Sequence, residues 1–454
     1  MKRRFFIIPV LLLAMFSAKA HSDWRAAAEN AGFIHRAIKQ ITDVMVYDIY
    51  SPPVASRTYA YITVAGYEAA LPGFAGYRSL SGQLHGLKAL PQPVSGKPIC
   101  YTLAAVQAIL SVGKSMVVSE ETVAKFYTGI LKEFKALGMP QEVFDNSIAY
   151  GQQIAAEIIA WAATDNYKQT RTFSKYAPLN DAASWKPTPP AYFKAVEPHW
   201  NKIRTFFIDS ATQFKPAKAT PFSTDKKSRF YKEALAVRDA GAKLNGEQKA
   251  IASFWDCNPF KMNVNGHVMY ASKKISPGGH WVNITRLACQ QSGADAIQSL
   301  EAYARLCVAL ADAFISCWDE KYRSVVIRPE TYINQYIDAA WMPLIQTPPF
   351  PEYTSGHSVV SNTSSVVLSK IFGESFSYAD STETEFGLPP RNFTSFTQAA
   401  AEAAISRFYG GIHYMPSIIN GATEGQRIGE FVVRKLRTRK DEGDKKLITK
   451  QQAK

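Results

Sequence analysis

Hydrophobic residues recur at intervals of three or four positions along most of the chain, which is the spacing of one buried face of an α-helix. Pro and Gly residues, such as Pro52-Pro53 and Gly138, often separate one such segment from the next. Alternating strand-like runs are scarce, so the pattern predicts a mostly α-helical fold. The predicted helices lie near residues 24–48, 53–71, 100–117, 119–137, 141–168, 225–240, 246–254, 296–318, 357–372, 397–408 and 421–438.

Residues 176–221 are polar and contain several prolines. They show neither the three-to-four spacing of a helix nor the alternation of a strand, which predicts an irregular connection. It divides the chain into an N-terminal helical region, 21–175, and a C-terminal core, 222–431. Residues 432–454 follow as a basic tail with nine Lys or Arg against three Asp or Glu, which is typical of a solvated, frayed end.

The first twenty residues have the features of a secretory signal peptide. Lys2-Arg3-Arg4 precedes an apolar run over residues 5–16, and Ala18-Lys19-Ala20 forms a small-residue cleavage site. No later run of about eighteen apolar residues is free of charge, so no transmembrane span is predicted. The sequence therefore predicts a periplasmic or secreted protein whose mature chain begins near His21.

The charge and the cysteines exclude two classes of protein. Of the net charge of +14, the first twenty residues carry +4 and the tail +6, which leaves a modest +4 for the body of the 454-residue chain. A nucleic-acid-binding protein would distribute basic residues through the fold, so this class is disfavoured. Five cysteines are an odd number and too few for a disulfide scaffold, although a single disulfide stays open.

Three short motifs in the C-terminal third carry candidate chemistry. The first is Lys321-x6-Arg328-Pro329. On a helix, seven residues make almost two turns, so both cations would project from nearly one face. Pro329 disfavours the α region at Arg328, so the helix is expected to end there. A Lys and an Arg that converge on one point suit an oxyanion.

The second motif is Thr354-Ser355-Gly356-His357, which follows a proline-rich lead-in and precedes an apolar segment. Ser355 and Gly356 should therefore lie at a helix N-terminus, where free backbone N–H groups attract an anion. His357 would stand over the same point as an acid or base.

The third motif is Ser406-Arg407-x5-His413. Arg407 would end an Ala-rich helix, and Gly410-Gly411 would let the chain turn so that His413 faces the same anion. Each motif alone is also compatible with a purely structural role. Their combination is more specific.

The three motifs, in this order on a helical background, resemble the phosphatase/haloperoxidase superfamily. This superfamily joins type 2 phosphatidic acid phosphatases, bacterial acid phosphatases and vanadium-dependent haloperoxidases. The resemblance covers roughly residues 190–429 and is greatest to the bacterial vanadium haloperoxidase-like group, through stretches such as residues 254–259, 277–281, 317–322 and 348–353. It implies an all-α helical bundle of the acid phosphatase/vanadium haloperoxidase type with an additional N-terminal helical layer.

The resemblance also implies an oxyanion cofactor, one vanadate per chain, with phosphate able to occupy the same site. Lys321, Arg328, Ser355, Gly356 and Arg407 would hold its oxygens. His413 would be the axial metal ligand, and His357 the acid–base group for peroxide. Lys321 would also be catalytic, by polarising bound peroxide toward attack by a halide. Hydrogen peroxide and a halide would thus be the substrates.

Two alternatives stay open. The first is a soluble acid phosphatase, in which a phosphate ester is the substrate, His413 the nucleophile and His357 the acid. The second is a non-catalytic anion-binding homologue. Homo-oligomerisation is not decided by the sequence, and membrane lipid phosphatases are disfavoured because the spanning helices are missing.

The sequence departs from the superfamily pattern at two positions. Thr354 replaces the usual Pro, and Ser417 stands where many members have an Asp four residues after the axial His. That Asp would orient the imidazole of His413. The orienting group is therefore expected to be a backbone carbonyl or another side chain such as Glu424.

Three further residues are candidates for the pocket or its surroundings. Phe350, seven residues before His357, matches a position that lines the halide site in chloroperoxidase-like members. His280, beside Trp281, is a candidate for the pocket wall. Asp256 is a candidate carboxylate that neutralises Arg407 or Lys321.

Overall fold

The structure, a computed structural model, describes residues 24–441, and the signal peptide expected over residues 1–20 lies outside them. The described chain is mostly helical, as predicted. Its α-helices are α1 (Trp24–Ala28), α2 (Gly32–Tyr47), α3 (Pro52–Ala70), α4 (Tyr101–Met116), α5 (Glu120–Ala136), α6 (Gln141–Ala162), α7 (Tyr167–Thr170), α8 (Arg229–Lys243), α9 (Gly246–Phe254), α10 (Pro277–Ser292), α11 (Ala296–Ser324), α12 (Pro329–Tyr336), α13 (Gly356–Phe372), α14 (Phe396–Tyr409) and α15 (Met415–Lys435).

Two helices that the periodicity did not reveal, α10 and α12, both begin with a proline. A proline is well tolerated at the first helical position, because its missing N–H would have no partner there. The expectation that one helix carries both cations of the first motif is therefore wrong. Helix α11 ends at Ser324, and Arg328 lies in extended conformation immediately before α12.

Two short antiparallel hairpins interrupt the helices. Strands β1 (Met262–Asn265) and β2 (Val268–Ala271) form the first, and β3 (Tyr378–Asp380) and β4 (Arg391–Phe393) form the second. The β3–β4 hairpin packs on α10 and places Asp380 in the interior.

Helices α3 and α11 form the centre of the fold. All nineteen residues of α3 are buried, and α11 is buried over most of its 29 residues. The two helices pack along each other, and α4 covers α3 on the other side. Helices from the N-terminal and C-terminal regions therefore share one hydrophobic core.

Helix α13 packs between α11, α14 and α15, and glycines set its distance from α15. A Cβ atom at Gly425 would lie 2.1 Å from the carbonyl oxygen of Val359, and one at Gly421 would lie 3.0 Å from that of Ser355. The close approach fixes the N-terminal end of α13 against α15.

The connection over residues 176–221 contains only one short 3-10 turn, Trp200–Lys202, as expected for an irregular segment. At the C-terminal end, α15 continues through residue 431 to Lys435, in agreement with the helix predicted near residues 421–438. Beyond it, Arg439 pairs with the buried Glu301 on α11. The described part of the basic tail is thus packed against the fold.

Within the described residues, no helix combines the length and apolarity that crossing a membrane would require. The five cysteines are all buried, and none is bonded to another.

Candidate functional site

The three motifs meet at one end of the central helices. Lys321 lies in the last turn of α11, Arg328 immediately precedes α12, and Ser355 caps α13. Arg407 lies near the end of α14, and His413 follows it in the turn before α15. Residues separated by up to 92 positions are thereby brought to one buried region.

A small cavity lies at this meeting point, and its wall includes Phe350, Gly356, His357, Arg407 and His413. Its volume is about 30 Å³. Because a single water molecule needs roughly 10–15 Å³ by the same measure, the cavity suits a small ion better than an organic molecule.

Helix α13 begins at the cavity, as the second motif predicted. The Ser355 side chain accepts a hydrogen bond from the Ser358 backbone N–H at 3.4 Å, and the Ser355 N–H donates to the Ser417 carbonyl at 3.2 Å. Gly356 is the first helical residue and lines the cavity. The positive end of the helix dipole therefore lies at the wall of the cavity.

Arg328 is completely buried beside His413. Its Nε donates to the Phe350 carbonyl at 3.0 Å, and its Nη1 donates to the Ile412 carbonyl at 2.9 Å and to His413 Nε2 at 3.1 Å. The Nη2 group is buried without a partner. A guanidinium with an unused donor in the interior is suited to an anionic oxygen.

Arg407 has a similar arrangement on the other side. Its Nη1 donates to the Trp255 carbonyl at 2.7 Å, while its Nε is buried without a partner. Asp256 lies near enough to raise the pKa of Arg407, although burial lowers that pKa more strongly. The direct ion pairs of Asp256 are instead with Lys274 at 3.2 Å and Lys261 at 3.6 Å.

The two ring nitrogens of His413 have different partners. Its Nδ1 lies 2.7 Å from Glu352 Oε1, and its Nε2 lies 3.1 Å from the guanidinium of Arg328. A guanidinium can only donate, so Nε2 must accept, and Nδ1 must carry the proton that Glu352 accepts. Burial, and then the charge of Arg328, hold the pKa of His413 well below its usual range. The imidazole is therefore neutral, and its Nε2 lone pair accepts from Arg328.

Glu352, which the sequence analysis did not single out, orients this imidazole. Its Oε1 also accepts the Tyr414 backbone N–H at 3.1 Å. Glu424 does not have this role, because its carboxylate accepts from Ser316 and Thr354. Ser417 Oγ reaches Nδ1 only at 3.4 Å. The proline-rich lead-in thus supplies, before the second motif, the carboxylate that was expected after the third.

Lys321 is fully buried and directs its ammonium group at backbone oxygens. It donates to the carbonyls of Pro351, Glu352 and Thr354 at 3.0, 3.1 and 2.5 Å. Burial lowers its pKa to about 8, since the charged form loses its water. Lys321 therefore contributes positive charge and holds the loop before α13, and all three of its protons are used in doing so.

His357 stands at the cavity with an unused nitrogen. Its Nε2 is buried and has no partner, and burial, followed by the charge of Arg407, holds its pKa well below the usual range. The ring is neutral and can accept a proton from a molecule in the cavity.

Phe350 lies at the wall of the cavity, and His280 lies farther from it. Phe350 lines the cavity, and its ring packs on Trp318 at a centroid distance of 4.9 Å. Lys321 Nζ lies 5.1 Å from the Phe350 ring centre. His280 does not line the cavity, which corrects the expectation that it forms part of the wall; it lies behind Cys257, which does.

The unpartnered polar atoms around the cavity suit an oxyanion. Arg328 Nη2, Arg407 Nε, His357 Nε2 and Ser358 Oγ are all buried without a hydrogen-bond partner. Unpaired buried donors such as those of the two arginines destabilise a fold unless a ligand satisfies them. Vanadate or phosphate offers the charge and the several acceptor oxygens that would do so.

Comparisons with known proteins agree with this site. A crystal structure described as that of the first bacterial vanadium-dependent iodoperoxidase is 48% identical, with a TM-score of 0.85, and the match covers 91% of this chain and 98% of the other. The chain belongs to the vanadium-dependent haloperoxidase family. The family profile of the second helical-bundle domain of VCPO matches residues 301–442, which include all three motifs.

More distant haloperoxidases share the fold. The holo and apo forms of a bacterial vanadium-dependent chloroperoxidase are each 16% identical, with TM-scores of 0.63 and 0.65. The matches cover 85% and 86% of this chain and 94% and 96% of theirs. A comparison with curated proteins found no match.

Proposed function

We propose that this haloperoxidase uses vanadate to oxidise a halide with hydrogen peroxide, and that iodide is its preferred halide. The observation that carries the proposal is the small cavity lined by His413 and Arg407, where the neutral imidazole accepts from Arg328 and where Arg328 Nη2 and Arg407 Nε are buried without a partner. The 48% identity to an iodoperoxidase supports the choice of halide. Iodide is also the common halide that gives up electrons most readily.

Arg328, Arg407, Ser355 and the Gly356 N–H would hold one vanadate per chain, with His413 Nε2 as its ligand. The charges of Lys321, Arg328 and Arg407, which are all buried, offset those of an anion in the interior, where electrostatic attraction is strong. When bound, vanadate supplies a Lewis acid that activates peroxide without changing its own oxidation state.

Residues of the chain itself orient the His413 imidazole and transfer protons to and from the substrate. Glu352 keeps the proton of His413 on Nδ1, so that Nε2 is the nitrogen with the lone pair. His357, which is neutral, accepts a proton from hydrogen peroxide as it enters the cavity and can return it to the product. Lys321 holds the carbonyls of the loop before α13 and adds charge; a direct bond to a substrate would require one of its three carbonyl bonds to open.

The remaining proposals concern the location of the enzyme and its selectivity against phosphate esters. The sequence features of residues 1–20 support export to the periplasm or beyond. A phosphate ester would meet the same cavity, but its small volume favours peroxide and a halide over an organic phosphate.

The test is a paired assay on the purified protein. Triiodide formation from iodide and hydrogen peroxide is measured with and without added vanadate, and hydrolysis of a phosphate ester is measured without vanadate. We expect oxidation that depends on vanadate and is lost in His413→Ala. Ester hydrolysis inhibited by vanadate, without halide oxidation, would contradict the proposal, as would vanadate binding without any turnover.

A further inference from the structure

A second cluster of chemically active side chains lies behind the wall of the cavity. Cys257, from the segment after α9, and His280, from the first turn of α10, meet Glu383, from the turn after β3. One donor atom from each lies within 4.8 Å of the other two. All three side chains are buried. The cluster therefore joins three stretches that are distant in sequence.

Two of the three distances within the cluster are close to those of a tetrahedral metal site. Cys257 Sγ lies 3.4 Å from His280 Nδ1 and 3.9 Å from Glu383 Oε1, and His280 Nδ1 lies 3.2 Å from Glu383 Oε1. Zinc bonds of about 2.0–2.3 Å at tetrahedral angles place neighbouring ligand atoms about 3.3–3.6 Å apart. Two of the three observed separations lie within about 0.1 Å of that range, and the third exceeds it by a few tenths of an ångström.

Asp380 fixes the direction in which His280 presents its nitrogen. Its Oδ2 lies 2.8 Å from His280 Nε2, and its Oδ1 accepts the Thr382 backbone N–H at 2.9 Å. With the Nε2 proton directed at Asp380, the Nδ1 lone pair faces the thiol and the carboxylate. A carboxylate behind a histidine is the usual support of a metal-binding imidazole.

The charges of the cluster also call for a cation. Glu383 and His280 Nδ1 are both acceptors at 3.2 Å, so either a proton or a metal ion must lie between them. Among the residues that the structure describes, no lysine or arginine forms an ion pair with Glu383. In a metal-bound form, the Cys257 thiolate and the Glu383 carboxylate would together carry two negative charges, which a divalent ion would balance.

We propose that Cys257, His280 and Glu383 bind one divalent transition-metal ion, zinc by preference, at a site separate from the oxyanion cavity. A mixed sulfur, nitrogen and oxygen set suits zinc, and water would complete four-coordination. Because the ion would bind both Cys257 and His280, it would link the segment that contains Trp255 to α10. Because Trp255 O accepts from Arg407, the link would also hold one wall of the cavity.

The first experiment measures zinc and vanadium in the purified, vanadate-loaded enzyme by mass spectrometry. We expect about one zinc per chain that withstands dialysis, its loss in Cys257→Ser and His280→Ala, and its retention in Cys289→Ser. Cys289 is a matched control, since it is buried like Cys257 but lies on α10 outside the cluster. The vanadium content of each sample shows separately whether the oxyanion site is intact.

A second experiment does not depend on the variants being stable. The wild-type enzyme is treated with a zinc chelator and then titrated with cobalt(II). We expect a thiolate-to-cobalt absorption band that saturates at one equivalent, and a chelator-induced fall in melting temperature that zinc reverses. Folded wild-type protein that takes up neither zinc nor cobalt would overturn the proposal, and His280 would then be a doubly protonated bridge between Asp380 and Glu383.

Discussion

Glu352 and His413 form a buried pair in which the carboxylate accepts the Nδ1 proton at 2.7 Å. The two residues are 61 positions apart. Their contact decides which nitrogen of the imidazole is unprotonated, and that nitrogen, Nε2, accepts from Arg328 at 3.1 Å. The pair therefore determines whether the site can bind a metal-centred anion through His413.

The first prediction concerns this pair. Glu352→Ala removes the acceptor for Nδ1, so we expect vanadate affinity to fall about 10–100-fold, the usual cost of losing a carboxylate behind a histidine ligand. Glu352→Gln keeps an acceptor and should fall between the wild type and Glu352→Ala. Equilibrium binding of vanadate is the measurement. Ser417→Ala is the control, since Ser417 Oγ lies 3.4 Å from Nδ1 and should matter little. Unchanged vanadate affinity in Glu352→Ala would show that Glu352 does not orient the His413 imidazole for vanadate binding.

The second prediction separates the two histidines. His357→Ala should keep vanadate affinity within a few-fold of the wild type, because His357 is assigned no bond to the metal. Its turnover should fall about 10²–10⁴-fold, the typical contribution of a general acid–base group. Steady-state rates and vanadate binding are measured on the same preparation. A loss of binding equal to that in His413→Ala would show that His357 holds the anion instead.

The third prediction is a pH dependence that comes from Lys321. Burial lowers the pKa of this ammonium to about 8, and only its charged form attracts an anion. Anion binding therefore favours the protonated lysine, and affinity should fall as pH rises through about 8, by up to about tenfold per pH unit.

Vanadate itself titrates, so the informative quantity is the difference between the wild type and Lys321→Met at each pH. We expect the variant to bind more weakly below pH 8 and to approach the wild type above it. A difference that does not change with pH would mean that Lys321 keeps its charge throughout.

The fourth prediction concerns the packing that fixes the start of α13. Gly425→Ala places a Cβ atom 2.1 Å from the Val359 carbonyl oxygen, so α15 must move away, at a cost of about 1–3 kcal/mol in the free energy of unfolding. Gly129→Ala on α5 is the matched control. It meets no atom within 4 Å and should stabilise the fold by up to about 1 kcal/mol. Denaturant unfolding measures both, and equal effects would contradict the packing argument.

The sequence predicted the helical fold and the order of the three motifs, because helical periodicity and short-range spacing are local properties. It missed α10 and α12, since a leading proline reads as a helix end when the following turn is not considered. It placed Lys321 and Arg328 on one helix face for the same reason.

The sequence could not identify Glu352 as the partner of His413, because that contact depends on how two distant turns pack together. One signal was present: a carboxylate stands in the proline-rich lead-in at Glu352, while the position after His413 holds Ser417. The absence of an Asp at position 417, together with a carboxylate at position 352 in the lead-in, suggests that Glu352 replaces the Asp as the partner of His413. The cluster of Cys257, His280 and Glu383 likewise appears only when the tertiary contacts are known.

The most direct test of the central claim is a crystal structure of the vanadate-loaded enzyme with vanadium located by anomalous scattering. The account predicts one vanadium per chain within bonding distance of His413 Nε2, with its oxygens on Arg328, Arg407 and the start of α13. Vanadium bound elsewhere in the protein, or an imidazole of His413 whose Nε2 faces away from it, would contradict the account.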